Sequence, residues 1–246
     1  MEGKDSLNNI IETTKKLITF KSVTGDEKEI DKCFSYIKEH MKDFHISEHY
    51  FNGVKSLVIS DGHNNEFDVI MLAHIDVVPV ESEEEFKSYI ERGRLYGRGS
   101  GDMKASVAIG MQLMNELKLK KTALMITSDE ETGGLNGSEQ LAKLYSANFI
   151  LGLEPSREEL VVKNKGKIYA TITSIGKSGH GSQPWLGDNS VEKLFKVFSE
   201  VKKQFSNIKN SDGFDEKWSR TLNLGMIRAG SNAYNIIPGK AEGFGY

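Results

Sequence analysis

Four short motifs that contain histidine or acidic residues occur in order along the chain, and each follows or adjoins a hydrophobic run. They are His74-Ile-Asp76-Val-Val-Pro, Gly97-Arg-Gly-Ser-Gly-Asp102-Met-Lys, Asp129-Glu130-Glu131-Thr-Gly and Gly152-Leu-Glu154-Pro. One imidazole and several carboxylates suit divalent zinc, cobalt or manganese, because these ions take nitrogen and oxygen ligands and keep a position open for water. Together the motifs predict a site for two metal ions.

The first motif pairs an imidazole with a carboxylate two residues later. In an extended segment His74 and Asp76 project to the same side, so Asp76 can accept the ring N–H of His74 and fix the tautomer that offers the other nitrogen to a metal. A histidine that only hydrogen-bonds to a carboxylate at the end of a strand would show the same spacing.

Three glycines precede the acid of the second motif. Gly97, Gly99 and Gly101 have a superficial likeness to a phosphate-binding loop, but the Gly-Lys-Ser/Thr ending of such loops is missing. We therefore expect that the glycines form a tight turn that places Asp102 at the start of a helix. There the two carboxylate oxygens could bridge two ions about 3.5–4 Å apart. The alternative, a phosphate-binding protein built on this turn, is not favoured.

The last two motifs place acids after apolar strands. Asp129, Glu130 and Glu131 would repel one another unless cations lie between them or the side chains point into solvent. Glu154 precedes Pro155, so a helix cap or an ion pair would also explain it. Because four separate strand ends each supply an acid or an imidazole, we favour one shared site over four unrelated structural causes.

Hydrophobic periodicity predicts alternating helices and strands in the first part of the chain. Helices are predicted over 10–18, from the turn at 24–26 to about 41, over 104–117 and near 137–145. Thr24 and Glu27 fit a capping box for the second of them. Strands are predicted over 46–51, 54–60, 67–73, 122–127 and 148–152. This alternation is typical of an α/β fold with a mixed, mainly parallel sheet flanked by helices. Ligands of such sheets collect at the carboxyl ends of strands, where all four motifs fall.

The pattern changes near Val161. A strand over 168–175, a helix over 189–205 and strands over 220–227 and 234–237 form β-α-β-β, the opening of a ferredoxin-like α+β unit. We predict a metal-binding domain over 1–163 and a partial ferredoxin-like domain over 164–246.

Composition excludes several classes of protein. A net charge of -3 with scattered basic residues argues against nucleic acid as a partner. No apolar stretch has the length of a signal peptide or of a membrane span, about 20 residues, which predicts a cytoplasmic protein without a membrane partner. The single cysteine, Cys33, excludes an internal disulfide, and its place in a helical apolar pattern predicts a core residue.

Three later segments add to the motifs, and together they resemble a known family. The segments are Ser178-Gly-His180-Gly-Ser-Gln-Pro184, Gly187-Asp-Asn189 and Asn235-Ile-Ile-Pro238. Over nearly its whole length the chain resembles the dinuclear zinc aminoacylase and exopeptidase family, which includes acetylornithine deacetylase, succinyl-diaminopimelate desuccinylase, glutamate carboxypeptidase and dipeptidases. The resemblance implies a zinc exopeptidase-like fold with a lid domain, and a homodimer formed through that lid.

The resemblance implies which residues hold the metals. Two zinc ions, or cobalt or manganese, are expected in a complete site. His74 and Glu154 would hold one ion, Asp102 would bridge, and Glu131 would hold the second. A non-proline cis peptide bond is implied between Asp102 and Met103.

The resemblance also implies the catalytic residues. Glu130 would be the general base, and Asp76 would orient the metal-binding imidazole. His180 would be the lid-domain histidine that reaches the active site of the partner subunit and stabilises the oxyanion.

The implied activity is hydrolysis of an amide bond in an N-acyl amino acid or a small peptide by a metal-activated water. Glu130 would take the proton of the water and return it to the leaving amine. The desuccinylase subgroup usually carries adjacent arginines where this chain has Asn164 and Lys165, so we expect a deacetylase, aminoacylase or dipeptidase rather than a desuccinylase.

The end of the sequence departs from the family pattern. The family completes its second metal site with a histidine near the carboxyl terminus, whereas this sequence stops at Tyr246 and has no histidine after His180. We therefore expect a truncated member whose second ion binds weakly. The alternative is a catalytically weak or inactive fragment that binds metal or partner chains.

Overall fold

The computed structural model describes residues 2–62, 64–156, 159–206, 220–230 and 233–245. The chain divides into two compact units, Met1–Leu160 and Val161–Tyr246. No helix within these described ranges is long and apolar enough to cross a membrane.

The first unit is built on a five-stranded sheet flanked by helices. Its elements in chain order are α1 (Glu2–Ile18), α2 (Glu27–His40), β1 (His45–Phe51), β2 (Val54–Ser60), β3 (Glu66–His74), β4 (Tyr89–Glu91), β5 (Arg94–Tyr96), α3 (Ala105–Leu117), β6 (Thr122–Thr127), α4 (Ser138–Leu144) and β7 (Ser146–Gly152). The strand order in the sheet is β1-β2-β6-β3-β7, and β4 and β5 form a separate hairpin. The strands β6 and β7 run parallel to β3, whereas β2 pairs antiparallel with β1 and β6. The predicted mixed α/β sheet is therefore confirmed.

The strand β6 shows why the sheet lies in the centre of this unit. All six of its residues are buried, and alternate side chains belong to opposite faces. Leu124 and Ile126 pack in a core with residues of α1, α2 and α3, whereas Ala123 and Met125 pack in a second core with Leu141 of α4. Cys33 is a buried free thiol in the first core, as predicted.

The start of α2 differs from the prediction. Asp26 is the N-cap, and its side chain accepts a hydrogen bond from the backbone N–H of Glu29. The predicted capping box of Thr24 and Glu27 is wrong, because the chain turns at Gly25 with φ +90° and the helix begins two residues later than that box requires.

The second unit is a small α+β arrangement. It contains β8 (Ala170–Ile175), β9 (Gly179–His180), α5 (Ser190–Ser206), β10 (Leu224–Ala229), β11 (Ile236–Ile237) and β12 (Lys240–Gly245). The strands β10, β12 and β8 form one antiparallel sheet, and β9 pairs with β11. The helix α5 contacts β8 and β12. The β-α-β-β prediction missed β12, which lies at the centre of this sheet.

Candidate metal centre

The four motifs of the first unit meet at one edge of the sheet. His74 ends β3, the turn with Glu130 and Glu131 follows β6, and Glu154 comes two residues after the end of β7. Because β3, β6 and β7 are parallel neighbours, their carboxyl ends lie side by side. Asp102 reaches the same edge from the turn that precedes α3.

Three of the predicted ligands converge on one point. His74, Asp102 and Glu154 each offer a ligand atom, and these atoms lie within 4.8 Å of one another. The Nε2 atom of His74 is 3.2 Å from Oδ1 of Asp102 and 3.9 Å from Oε1 of Glu154. A carboxylate oxygen of Glu130 lies 3.8 Å from the same nitrogen. A divalent ion bound among these atoms would be held by one imidazole and two carboxylates.

The ring of His74 is oriented for ligation by Nε2. Its Nδ1 atom lies 3.0 Å from the backbone oxygen of Asp76 and 3.3 Å from a carboxylate oxygen of the same residue. Since both neighbours are acceptors, Nδ1 carries a proton, and Nε2 is the ring nitrogen that faces the acids and is available to a metal.

Asp76 does more than orient the imidazole. Its buried carboxylate accepts the backbone N–H of Glu130 on one oxygen, at 3.2 Å, and that of Glu131 on the other, at 3.2 Å. The second oxygen also accepts the hydroxyl of Thr24 at 2.8 Å. Asp76 thus ties the strand of His74 to the acidic turn. Sequence reasoning missed Thr24, because no local signal connects residues 52 positions apart.

Two glycines and one bond set the turn that carries Asp102. Gly99 has φ +80°, and a β-carbon there would lie 3.0 Å from side-chain atoms of both Lys104 and Val77. Gly97 also has a positive φ, so the expected tight turn is present. The Asp102–Met103 peptide bond is cis, as the resemblance implies.

The site carries more negative charge than its one imidazole can balance. Burial disfavours protonation of His74, but the hydrogen bond and charge of Asp76, with Glu154 and Glu130, outweigh it and raise its pKa to about 9. Burial first, and then nearby carboxylates such as Asp102, raise the pKa values of Glu131 and Glu154. A divalent cation would relieve this repulsion, so the charge and the donor set both fit a metal.

The acidic triplet divides into one residue that holds the loop after β6 and two that face the cluster. Asp129 is buried and accepts the backbone N–H groups of Asn136 and Gly137 at 2.9 and 3.1 Å. Its carboxylate therefore holds the loop after β6, while Glu130 and Glu131 face the cluster.

A cavity of about 500 Å³ adjoins the cluster. Asp102 and Glu131 form part of its lining, together with Arg98 and the stacked rings of Tyr89 and Tyr96, whose centroids are 5.0 Å apart. The sequence had not pointed to these two tyrosines, which come from the β4–β5 hairpin.

His180 lies in the second unit, in β9. Its Nδ1 atom is 2.7 Å from the hydroxyl of Ser182 and its Nε2 atom is 3.3 Å from the side-chain amide of Asn235. The pairing of His180 with Ile236 brings the Gly-His-Gly-Ser and Asn-Ile-Ile-Pro segments together.

Comparisons with known proteins identify relatives of this chain. The profile of Peptidase family M20/M25/M40 matches residues 70–217. The chain is 29% identical over 249 residues to succinyl-diaminopimelate desuccinylase of Nautilia profundicola, covering 95% of this chain and 66% of the relative. It is 30% identical over 261 residues to the desuccinylase of Thioalkalivibrio sulfidiphilus, covering 96% of this chain and 67% of the relative. The chain thus spans about two thirds of the length of these relatives.

Solved structures show the same fold. An M20 family metallo-carboxypeptidase from Sulfolobus solfataricus superposes with a TM-score of 0.62 at 17% identity, covering 96% of this chain and 70% of that one. A tripeptidase from Staphylococcus aureus gives a TM-score of 0.58 at 18% identity, covering 97% of this chain and 65% of that one. From the profile match and the relatives, the chain belongs to Peptidase family M20/M25/M40.

Proposed function

We propose that this chain forms the metal-binding and lid parts of a hydrolase that cleaves the amide bond of an N-acyl amino acid or a small peptide. The observation that carries the proposal is the convergence of His74, Asp102 and Glu154 within 4.8 Å at one sheet edge. Membership of the peptidase family supports the reaction class.

The proposed cofactors are two divalent ions, zinc or alternatively cobalt or manganese. His74 and Glu154 would hold the first, Asp102 would bridge, and Glu131 would hold the second. When bound, such ions would polarise the scissile carbonyl and lower the pKa of a nearby water.

The protein groups would do the remaining work. Glu130 would take the proton of the attacking water and return it to the leaving amine, since its carboxylate faces the cluster 3.8 Å from the imidazole of His74. Asp76 would hold that imidazole and the Glu130–Glu131 turn in their positions relative to each other. His180 of a second copy would donate to the oxyanion, a contribution of about 3 kcal/mol for one well-placed donor.

The wider organisation is part of the same proposal. Residues 1–163 would form the catalytic part, and 164–246 the lid through which two copies of a cytoplasmic protein associate. The relatives named above are desuccinylases, whereas solved structures of this fold include a tripeptidase and a human carnosine dipeptidase. Asn164 and Lys165 remain our reason to expect a deacylase or dipeptidase.

Metal titration of the 246-residue chain tests the proposal. Calorimetry and metal analysis with Zn²⁺ and Co²⁺ should show that the wild-type chain binds metal. His74→Ala should lose the first ion, which His74 and Glu154 would hold. His40→Ala is the matched control, because His40 is an exposed helix residue whose ring contacts the carbonyl and the ring of Tyr36, away from the cluster. Absence of metal binding by the wild-type chain would overturn the proposal.

Turnover then separates the activity from simple metal binding. N-acetyl amino acids, N-succinyl-diaminopimelate and dipeptides form the substrate panel. About two ions per chain with turnover supports the hydrolase, whereas one ion without turnover on any substrate supports the inactive fragment.

A further inference from the structure

Lys104 is a buried cation that the proposed mechanism does not use. It is 0% exposed, and among the described residues it is the only lysine or arginine in the buried class. A buried ammonium is stable only when hydrogen bonds and opposite charge compensate its lost hydration. Its contacts therefore indicate why the position holds a lysine.

The ammonium binds the carboxyl end of α1. Its Nζ atom donates to the backbone oxygens of Leu17 at 3.0 Å and Phe20 at 2.7 Å. Carbonyls at the end of a helix lack partners within the helix, and the helix dipole favours a cation there.

The backbone of Lys104 is part of the turn that carries Asp102. Its backbone N–H donates to the carbonyl of Gly99 at 2.8 Å, and its aliphatic stem packs against the same glycine. The residue is two positions after Asp102 and directly precedes α3. One side chain thus connects α1 to the segment that directs the bridging carboxylate into the cluster.

We infer that Lys104 is a positioning residue that holds Asp102 in the metal cluster by tying its turn to the end of α1. The inference rests on the proposed function, because it requires that the cluster binds a divalent ion. It adds a residue whose ammonium donates to the carbonyls of Leu17 and Phe20 and not to the acids of the cluster.

Co²⁺ titration of the whole chain, followed by visible absorption and by competition with Zn²⁺, tests this role. Lys104→Met keeps most of the stem but removes the charge and the donors, and should weaken binding about 10–100-fold, as loss of a residue that orients a ligand does. The Co²⁺ band shape should also change, because Asp102 would no longer be held at the ion. Lys104→Arg, which retains charge and donors, should recover part of the affinity.

Met114→Ala is the control for general loss of stability. Met114 is buried in the same helix α3, at the end remote from the turn, and its truncation should leave the Co²⁺ spectrum and affinity close to wild type. If Lys104→Met does not fold, Lys104→Gln, which removes the charge but keeps two N–H donors, takes its place and should weaken binding about tenfold, the lower end of that range.

Two results would overturn the inference. One is wild-type affinity and band shape in the neutral variant, and the other is an equal loss in Met114→Ala. Failure of the wild-type chain to bind Co²⁺ would instead refute the proposed function, so the two failures can be told apart.

Discussion

Thr24 offers a sharp test of how the metal centre is supported. Its hydroxyl donates to the buried carboxylate of Asp76 at 2.8 Å, although Thr24 lies 52 positions away in a turn before α2. Thr24→Val replaces that hydroxyl with a methyl group of similar size, so shape is preserved and the hydrogen bond is lost. Thr24→Ser keeps the hydroxyl.

The expected magnitude follows from the partners that remain. A hydrogen bond to a charged group contributes about 1.5–3 kcal/mol to stability. After the change Asp76 still accepts hydrogen bonds from the backbone N–H groups of Glu130 and Glu131, so the buried carboxylate keeps hydrogen-bond partners. We therefore expect the free energy of unfolding to fall by about 1.5 kcal/mol, the lower end of that range. Affinity for the ion at His74 should fall about tenfold, because Asp76 orients that ligand.

Urea unfolding and Co²⁺ titration measure the two effects. Thr24→Ser should restore both quantities. Thr19→Val is the matched control, since the Thr19 hydroxyl donates to the Lys16 carbonyl on an exposed turn. Its free energy of unfolding should change by no more than about 0.5 kcal/mol. Unchanged stability and affinity in Thr24→Val would refute the view that Asp76 depends on this contact.

Three further predictions concern the acids, the thiol and a tight contact. In a form of the protein that binds both ions and turns over, Glu130→Gln should retain its metals and lose turnover about 10²–10⁴-fold, whereas Glu131→Gln should lose one ion. Metal analysis and single-turnover rates decide, and the reverse pattern would exchange their roles. Burial raises the pKa of Cys33 to about 12 from an ordinary 9.0. The thiol therefore loses its proton at lower pH in the unfolded state than in the folded state. As the pH rises from 9.0 towards 12, the free energy of unfolding of the wild type should fall relative to that of Cys33→Ala. The same pH dependence of the free energy of unfolding in both proteins would contradict this. Gly137→Ala would place a β-carbon 2.2 Å from Oδ1 of Asp129, and thermal unfolding should show a loss of about 1–3 kcal/mol.

The residues of the proposed metal site could be recognised from local sequence. An apolar run followed closely by an acid or a histidine marks the strand ends that supply His74 and Glu154. Asp102 comes instead from the glycine-rich turn before α3, and the structure brings all three side chains to one point. The helix α3 begins one residue from its predicted start and ends at the predicted residue, because its apolar periodicity is strong. Short strands were less predictable, and β12 was missed since its Lys-Ala-Glu-Gly-Phe-Gly sequence has no apolar run.

The sequence by itself determined which residues could bind metal, the α/β class and the family, because these depend on residue type, spacing and order along the chain. Only the tertiary structure decided which acid of the triplet holds the loop, since the Asp129 carboxylate accepts hydrogen bonds from the backbone N–H groups of Asn136 and Gly137. It also decided that Thr24 supports Asp76 and that Lys104 reaches the carbonyl of Leu17, 87 positions away. Such contacts form when segments that are distant in sequence pack together, and the local spacing of residues does not predict which segments will meet.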